Sequence, residues 1–148
     1  MNRIAFAFGL AFAMAGPVAA APTGDAAALP VTRAPDGAEV YIISPSNGAT
    51  VGREVTVRFG LKGMGVAPAG VPKEHTGHHH LLVDVSRLPA AGQPIPADAR
   101  HIHFGGGQTQ TTLTLTPGTH TLQLELADQH HVPFEPALVS PKITIHVQ

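Results

Sequence analysis

Alternation at period two, cut into short runs by glycine and proline, narrows the fold of this chain more than any other feature. In REVTVRFGLKG (53–63), Val55, Val57, Phe59 and Leu61 fall on one parity, and Thr56, Arg58 and Lys62 on the other. Leu81, Val83 and Val85 repeat the pattern with His80 and Asp84 opposite. Leu113 and Leu115 follow, then Leu122, Leu124 and Leu126 with Gln123 and Glu125 opposite, and last Ile143, Ile145 and Val147 with His146 opposite. Successive side chains of a strand point to opposite faces, so each run reads as a strand with one buried face. No segment carries a helical period, and 14 prolines and 16 glycines mark the connections. Short alternating strands between Gly/Pro turns predict an all-β fold: a single antiparallel immunoglobulin-like sandwich of about seven strands. The expected strands are A (39–44), B (53–61), C (78–85), D (100–104), E (109–115), F (119–127) and G (142–147).

The first twenty residues read differently. MNRIAFAFGLAFAMAGPVAA has one charge at Arg3, an apolar run from Ile4 to Ala15, a Gly16-Pro17 breaker and small residues up to Ala20. That is the pattern of a secretory signal peptide cleaved after Ala20, and the run is too short to span a bilayer. The expected organisation is a signal peptide (1–20), a flexible Ala/Pro/Gly-rich linker (21–38) and one domain (39–148) in the periplasm or outside the cell. The mature chain keeps no transmembrane segment. It carries 8 basic and 10 acidic residues, with no basic patch and no Trp for stacking on bases, so nucleic acid is not an expected partner. There are no cysteines. Disulfides, zinc-finger sites and thiolate copper sites are thereby excluded.

What remains conspicuous is histidine. HTGHHH (75–80) holds four, HIH (101–103) two and QHH (129–131) two more, out of ten in the chain. In a sandwich of the expected topology the B–C, D–E and F–G loops meet at one end, which brings eight imidazoles together. On a strand, residues i and i+2 share a face roughly 6.5 to 7 Å apart, so His78 with His80, and His101 with His103, form pairs that can share one ion. The candidate metal ligands are therefore His75, His78, His79, His80, His101, His103, His130 and His131, with Met64 of KGMGV as a soft thioether. Gly105–Gly107 lets the backbone approach closely or turn sharply beside HIH. Plainer roles compete at several positions. His79 has the inward parity of a core residue, Met64 can simply pack, His120 suits a backbone-bonded corner and His146 suits solvated surface.

At TGHHHLLVDV, PIPADARHIHFGGGQTQTTLTL and PGTHTLQLELADQHHVPF the chain resembles a family of histidine-rich secreted bacterial domains of unknown function, over about residues 60–147. The resemblance implies an exported small domain and supplies no activity. HIHFGG is also similar to the His-x-His of copper-zinc superoxide dismutases, but the rest of that pattern, including its cysteines, is absent. In ligand type and fold class the chain is similar to periplasmic copper carriers on cysteine-free sandwiches.

The expected function is an exported protein that binds copper or zinc through clustered histidines, as carrier, buffer or sensor. Its partners would be the ion and another envelope protein. One alternative is a metal-free interaction or ligand-binding module that uses histidine as a pH-sensitive group. Another is a metalloenzyme with an open coordination position; no obvious general base stands beside the His motifs, and Glu74, Asp84 and Asp98 are no more than candidates.

Overall fold

A computed structural model describes residues 29–148. The signal-peptide reading and the first part of the expected linker lie outside the described residues. Among those residues every regular element is a strand: β1 (Glu39–Ser44), β2 (Thr50–Val51), β3 (Glu54–Lys62), β4 (Gly65–Val66), β5 (Thr76–Val83), β6 (His101–His103), β7 (Gln110–Thr114), β8 (Gly118–Ala127) and β9 (Ile143–Val147). No helix of the described residues is long and apolar enough to cross a membrane.

The strands form two sheets, one in the order β1-β3-β7 and one in the order β2-β9-β8-β5-β4, with β6 also paired to β5. Pairing is antiparallel except for the short β2–β9 and β4–β5 contacts. One core joins the sheets. Val40, Val55, Val57 and Phe59 come from the smaller sheet; Leu81, Val83, Leu122, Leu124, Leu126, Ile143, Ile145 and Val147 come from the larger. These are the positions that the alternation assigns inward. Leu122, Leu124 and Leu126 are fully buried; burying each such side chain contributes about 1.5–3 kcal/mol.

The expected strands lie within one to two residues of β1, β3, β5, β6, β7, β8 and β9. Two differences matter for the site. The segment expected as D is β6, and it joins the larger sheet through β5, with His80 opposite His103 and Leu82 opposite His101. Part of the expected linker is also bound to the domain. Thr32 Oγ1 donates to Asp128 Oδ2 at 2.6 Å, Ala34 N–H donates to Glu135 O, and Ala34 sits in the core.

The larger sheet is covered on both faces along β5, whose residues from Gly77 to Val83 are all buried. Its inner face, with His79, Leu81 and Val83, meets the smaller sheet. Its outer face, with His78, His80 and Leu82, lies outside the main core cluster. The 86–99 connection reaches that side: Ile95 is 5% exposed and its N–H donates to His131 O at 2.8 Å. The outward parity of a strand predicts polar side chains in water. Here the loops turn that face into a second, partly polar interior.

Candidate functional site

Four imidazoles meet on the outer face. Ring centroids are 4.8 Å apart for His78–His80, 5.0 Å for His78–His103, 5.1 Å for His80–His103, 5.0 Å for His78–His131 and 4.7 Å for His103–His131. Each has a local cause. The period of β5 puts His78 and His80 on one face. Cross-strand register puts His103 opposite His80.

His131 arrives from the turn after β8. Asp128 Oδ1 accepts from the N–H groups of His130 and Val132, and Asp128 O accepts from His131 N–H. These bonds hold His131 at φ 67°, a left-handed conformation that a non-glycine residue adopts only when its surroundings impose it. The ring of His103 in turn lies across Gly105. A Cβ there would stand 2.6 Å from His103 Nε2, so only glycine leaves the ring its place.

The ligating atoms of His78, His80 and His103 can all lie within 4.8 Å of one another. Both ring nitrogens of His78 and Nδ1 of His80 are buried without a hydrogen-bond partner. Burial, with the neighbouring His103 and His131, lowers the pKa of His78 to about 4. Burial, with His78, His103 and His131 beside it, lowers that of His80 to about 3. Burial, then His131, also lowers that of His103. Burial thus favours the neutral form of His78, His80 and His103, the state in which imidazole ligates metal. A buried polar atom without a partner costs about 1–3 kcal/mol, and a shared cation would satisfy several here at once. A cavity of about 260 Å³ opens beside the rings, between His80, His103 and His131 on one side and Pro94, Ile95, Pro96 and Ala97 on the other.

The other expected ligands are not brought into this group. His79 points the opposite way, into the core, with its ring 5.2 Å from that of Phe59. Met64 is partly buried and packs against the main core. His101 shares the face of His103 but lies one strand repeat further along, opposite Leu82, where its Nδ1 pairs with Asp98 Oδ1 at 2.9 Å. His75 is exposed in the turn before β5 and lines a surface cleft with Arg33 and Asp36. His130 is exposed, its Nε2 3.3 Å from Gln129 Nε2. Topology therefore unites four of the eight imidazoles, and on a sheet face rather than at a rim of loops. His120 takes the corner role: Nδ1 meets Asp84 Oδ2 at 2.7 Å and Nε2 meets Thr116 O at 2.9 Å.

One residue that sequence reasoning passed over belongs beside the cluster. Glu125 of β8 is paired directly with His80 of β5. Its outward parity reads as solvated, yet it is 1% exposed, and burial raises its pKa to about 7. Alternation gave its face correctly; nothing local signalled that loops would cover it.

Residues 57–148 match the model of a family described as a domain of unknown function (DUF4399). That stretch contains all ten histidines. No curated protein and no solved structure matches the chain.

Proposed function

Because the chain belongs to the DUF4399 family, a domain of unknown function, its role has to be argued from its own side chains, and we propose that it is an exported protein that holds a copper or zinc ion. His78, His80 and His103 are the proposed ligands, with His131 as the fourth. The single observation that carries this reading is the convergence of ligating atoms within 4.8 Å, two of the three rings, His78 and His80, being buried with nitrogens that lack partners and the third, His103, exposed. An all-nitrogen set without thiolate or thioether suits Cu(II) and Zn(II) better than Cu(I). The ion would join β5, β6 and the turn after β8 and satisfy the buried nitrogens. The immunoglobulin-like reading of the fold is supported by the order β1-β3-β7 facing β9-β8-β5. Export to the periplasm or beyond rests on the leader-like residues 1–20.

Calorimetric titration of the metal-free mature chain with Zn(II), Cu(II) and Cu(I), beside a His78→Ala/His80→Ala/His103→Ala variant, tests the assignment. Submicromolar binding of one ion per chain, lost in the variant, is the expected result. Micromolar or weaker binding that the variant preserves would reject it. A second reading, catalysis at an open coordination position, is favoured by the cavity beside His80, His103 and His131. An exchangeable water on the bound ion, seen by relaxation of solvent protons with Cu(II), would separate it from simple storage.

A further inference from the structure

The buried atoms without partners are few, and they are not scattered. On the outer face of the larger sheet they are His78 Nδ1 and Nε2, His80 Nδ1 and Glu125 Oε2. His80 and Glu125 are directly opposite each other on adjacent antiparallel strands. Directly opposed residues carry their side chains on the same face with Cβ atoms roughly 4.5–5.5 Å apart. An imidazole nitrogen and a carboxylate oxygen, each fully desolvated and each without a partner, thus stand across one strand-to-strand step. A buried acid is expensive unless something nearby uses it, and leucine would fill the same position at no such cost.

The two nitrogens of His80 have different surroundings. His80 lines the cavity that it shares with His103 and His131, and only Nδ1 is both buried and unpartnered. Glu125 itself is outside the set of side chains whose ligating atoms converge. It is therefore placed to act on the ion through His80 rather than by touching it.

We propose that Glu125 is a positioning residue of the metal site: its carboxylate accepts a hydrogen bond from His80 Nδ1–H and so directs Nε2 toward the ion. This rests on the metal reading above. The bond fixes the Nδ1–H tautomer, locks the ring about its second side-chain torsion and makes Nε2 a better donor to the cation. With an ion bound, it would also supply a negative charge beside the imidazoles, where a dication would otherwise be buried uncompensated. Both residues lie on adjacent central strands of one sheet, so their backbones are held in place and side-chain torsions alone can bring the two unpartnered atoms together.

Two variants test it in the mature chain with Zn(II) as probe. Glu125→Leu removes charge and acceptor; Glu125→Gln removes the charge but keeps an acceptor oxygen. Competition against chelators of known strength should show Zn(II) affinity lowered about 10–100-fold in Glu125→Leu and by clearly less in Glu125→Gln. In the Zn(II)-loaded wild type, nitrogen-15 NMR should show a slowly exchanging His80 Nδ1–H. That signal should move in Glu125→Gln and be lost in Glu125→Leu, whereas a merely structural role would leave it unchanged. Wild-type affinity in Glu125→Leu, or an unmoved His80 signal in Glu125→Gln should the leucine variant not fold, overturns the proposal while leaving the metal site standing. Failure of the wild type to bind Zn(II), or binding indifferent to His78→Ala/His80→Ala/His103→Ala, overturns both.

Discussion

Replacing His79 by leucine should stabilise this protein, and should do so far more at pH 5 than at pH 7. His79 is fully buried on the inner face of β5, its ring 5.2 Å from that of Phe59, and neither ring nitrogen makes a hydrogen bond of good geometry, although the Gln108 and Gly60 backbones lie near enough to offset part of the effect of burial. Burial lowers its pKa from 6.5 to about 4. The sign follows from proton counting. Between these values the unfolded chain binds a proton that the folded chain excludes, so stability falls as pH drops below 6.5 and levels off only near the folded value. At pH 7 this linkage is worth almost nothing, because both states are neutral. At pH 5 it costs the wild type about 2 kcal/mol, at about 1.4 kcal/mol per pH unit. Leucine does not titrate and removes that cost. It also removes two unsatisfied buried atoms, a gain of about 1–3 kcal/mol, offset by the lost ring contact with Phe59, about 0.5–1.5 kcal/mol. The expected net gain is about 1 kcal/mol at pH 7 and about 3 kcal/mol at pH 5. Urea denaturation of both proteins at the two pH values, with chelator present to keep metal out, measures the difference. His78 and His80 titrate in both proteins, and their contributions largely cancel, since His79 is the smallest of the influences on either. A leucine variant that gains the same amount at both pH values, or is less stable at both, would refute the reasoning.

Three further outcomes follow from the same residues. Since His78 and His80 are already neutral, with pKa values of about 4 and 3, while Glu125 titrates at about 7, Zn(II) affinity should fall by no more than about tenfold per pH unit from pH 7 to pH 5.5, a one-proton slope, whereas a site of ordinary surface histidines would lose about that much for each ligand; a steeper decline in chelator competition would contradict the neutrality of His78 and His80. Gly105→Ala should displace the His103 ring, which a Cβ there would overlap, and lower Zn(II) affinity at least about tenfold. Its thermal stability should fall by less than about 1 kcal/mol, because a side-chain end moves rather than backbone; unchanged affinity would contradict the placement of His103. At the corner, His120 pKa is raised by the hydrogen bond to Asp84. Burial works against the Asp84 carboxylate, but hydrogen bonds from Thr121 N–H and His120 outweigh it and hold its pKa below the usual range. The His120 contribution is therefore fully present below pH 6.5 and lost as pH rises through the raised value. Asp84→Asn should cost about 1 kcal/mol at pH 6, discounted for the partial exposure of Asp84, and less at pH 9; parallel pH–stability curves for wild type and variant would rule this out.

The local alternation was enough to assign the main core. Val55, Val57, Phe59, Leu81, Val83, Leu122, Leu124, Leu126, Ile143 and Ile145 are buried as their parity requires, because the direction of a side chain from an extended backbone is fixed by that backbone alone. The same rule placed His78 with His80, and His101 with His103, before any partner strand was known. It also gave His79 its inward direction.

Which of those histidines meet was a tertiary decision. The register of β6 on β5 sets His103, and not His101, beside His80, and such registers depend on hydrogen bonds and loops distant in sequence. His131 joins through an Asp128-bonded turn in a conformation that its own type disfavours, while neighbouring His130 is left in solvent. Part of the cover over the outer face near His80, whose burial keeps it neutral, comes from residues 94–97 folding back beside the rings. Parity is a property of two torsion angles. Register, coverage and desolvation belong to contacts that exist only once the chain has closed on itself.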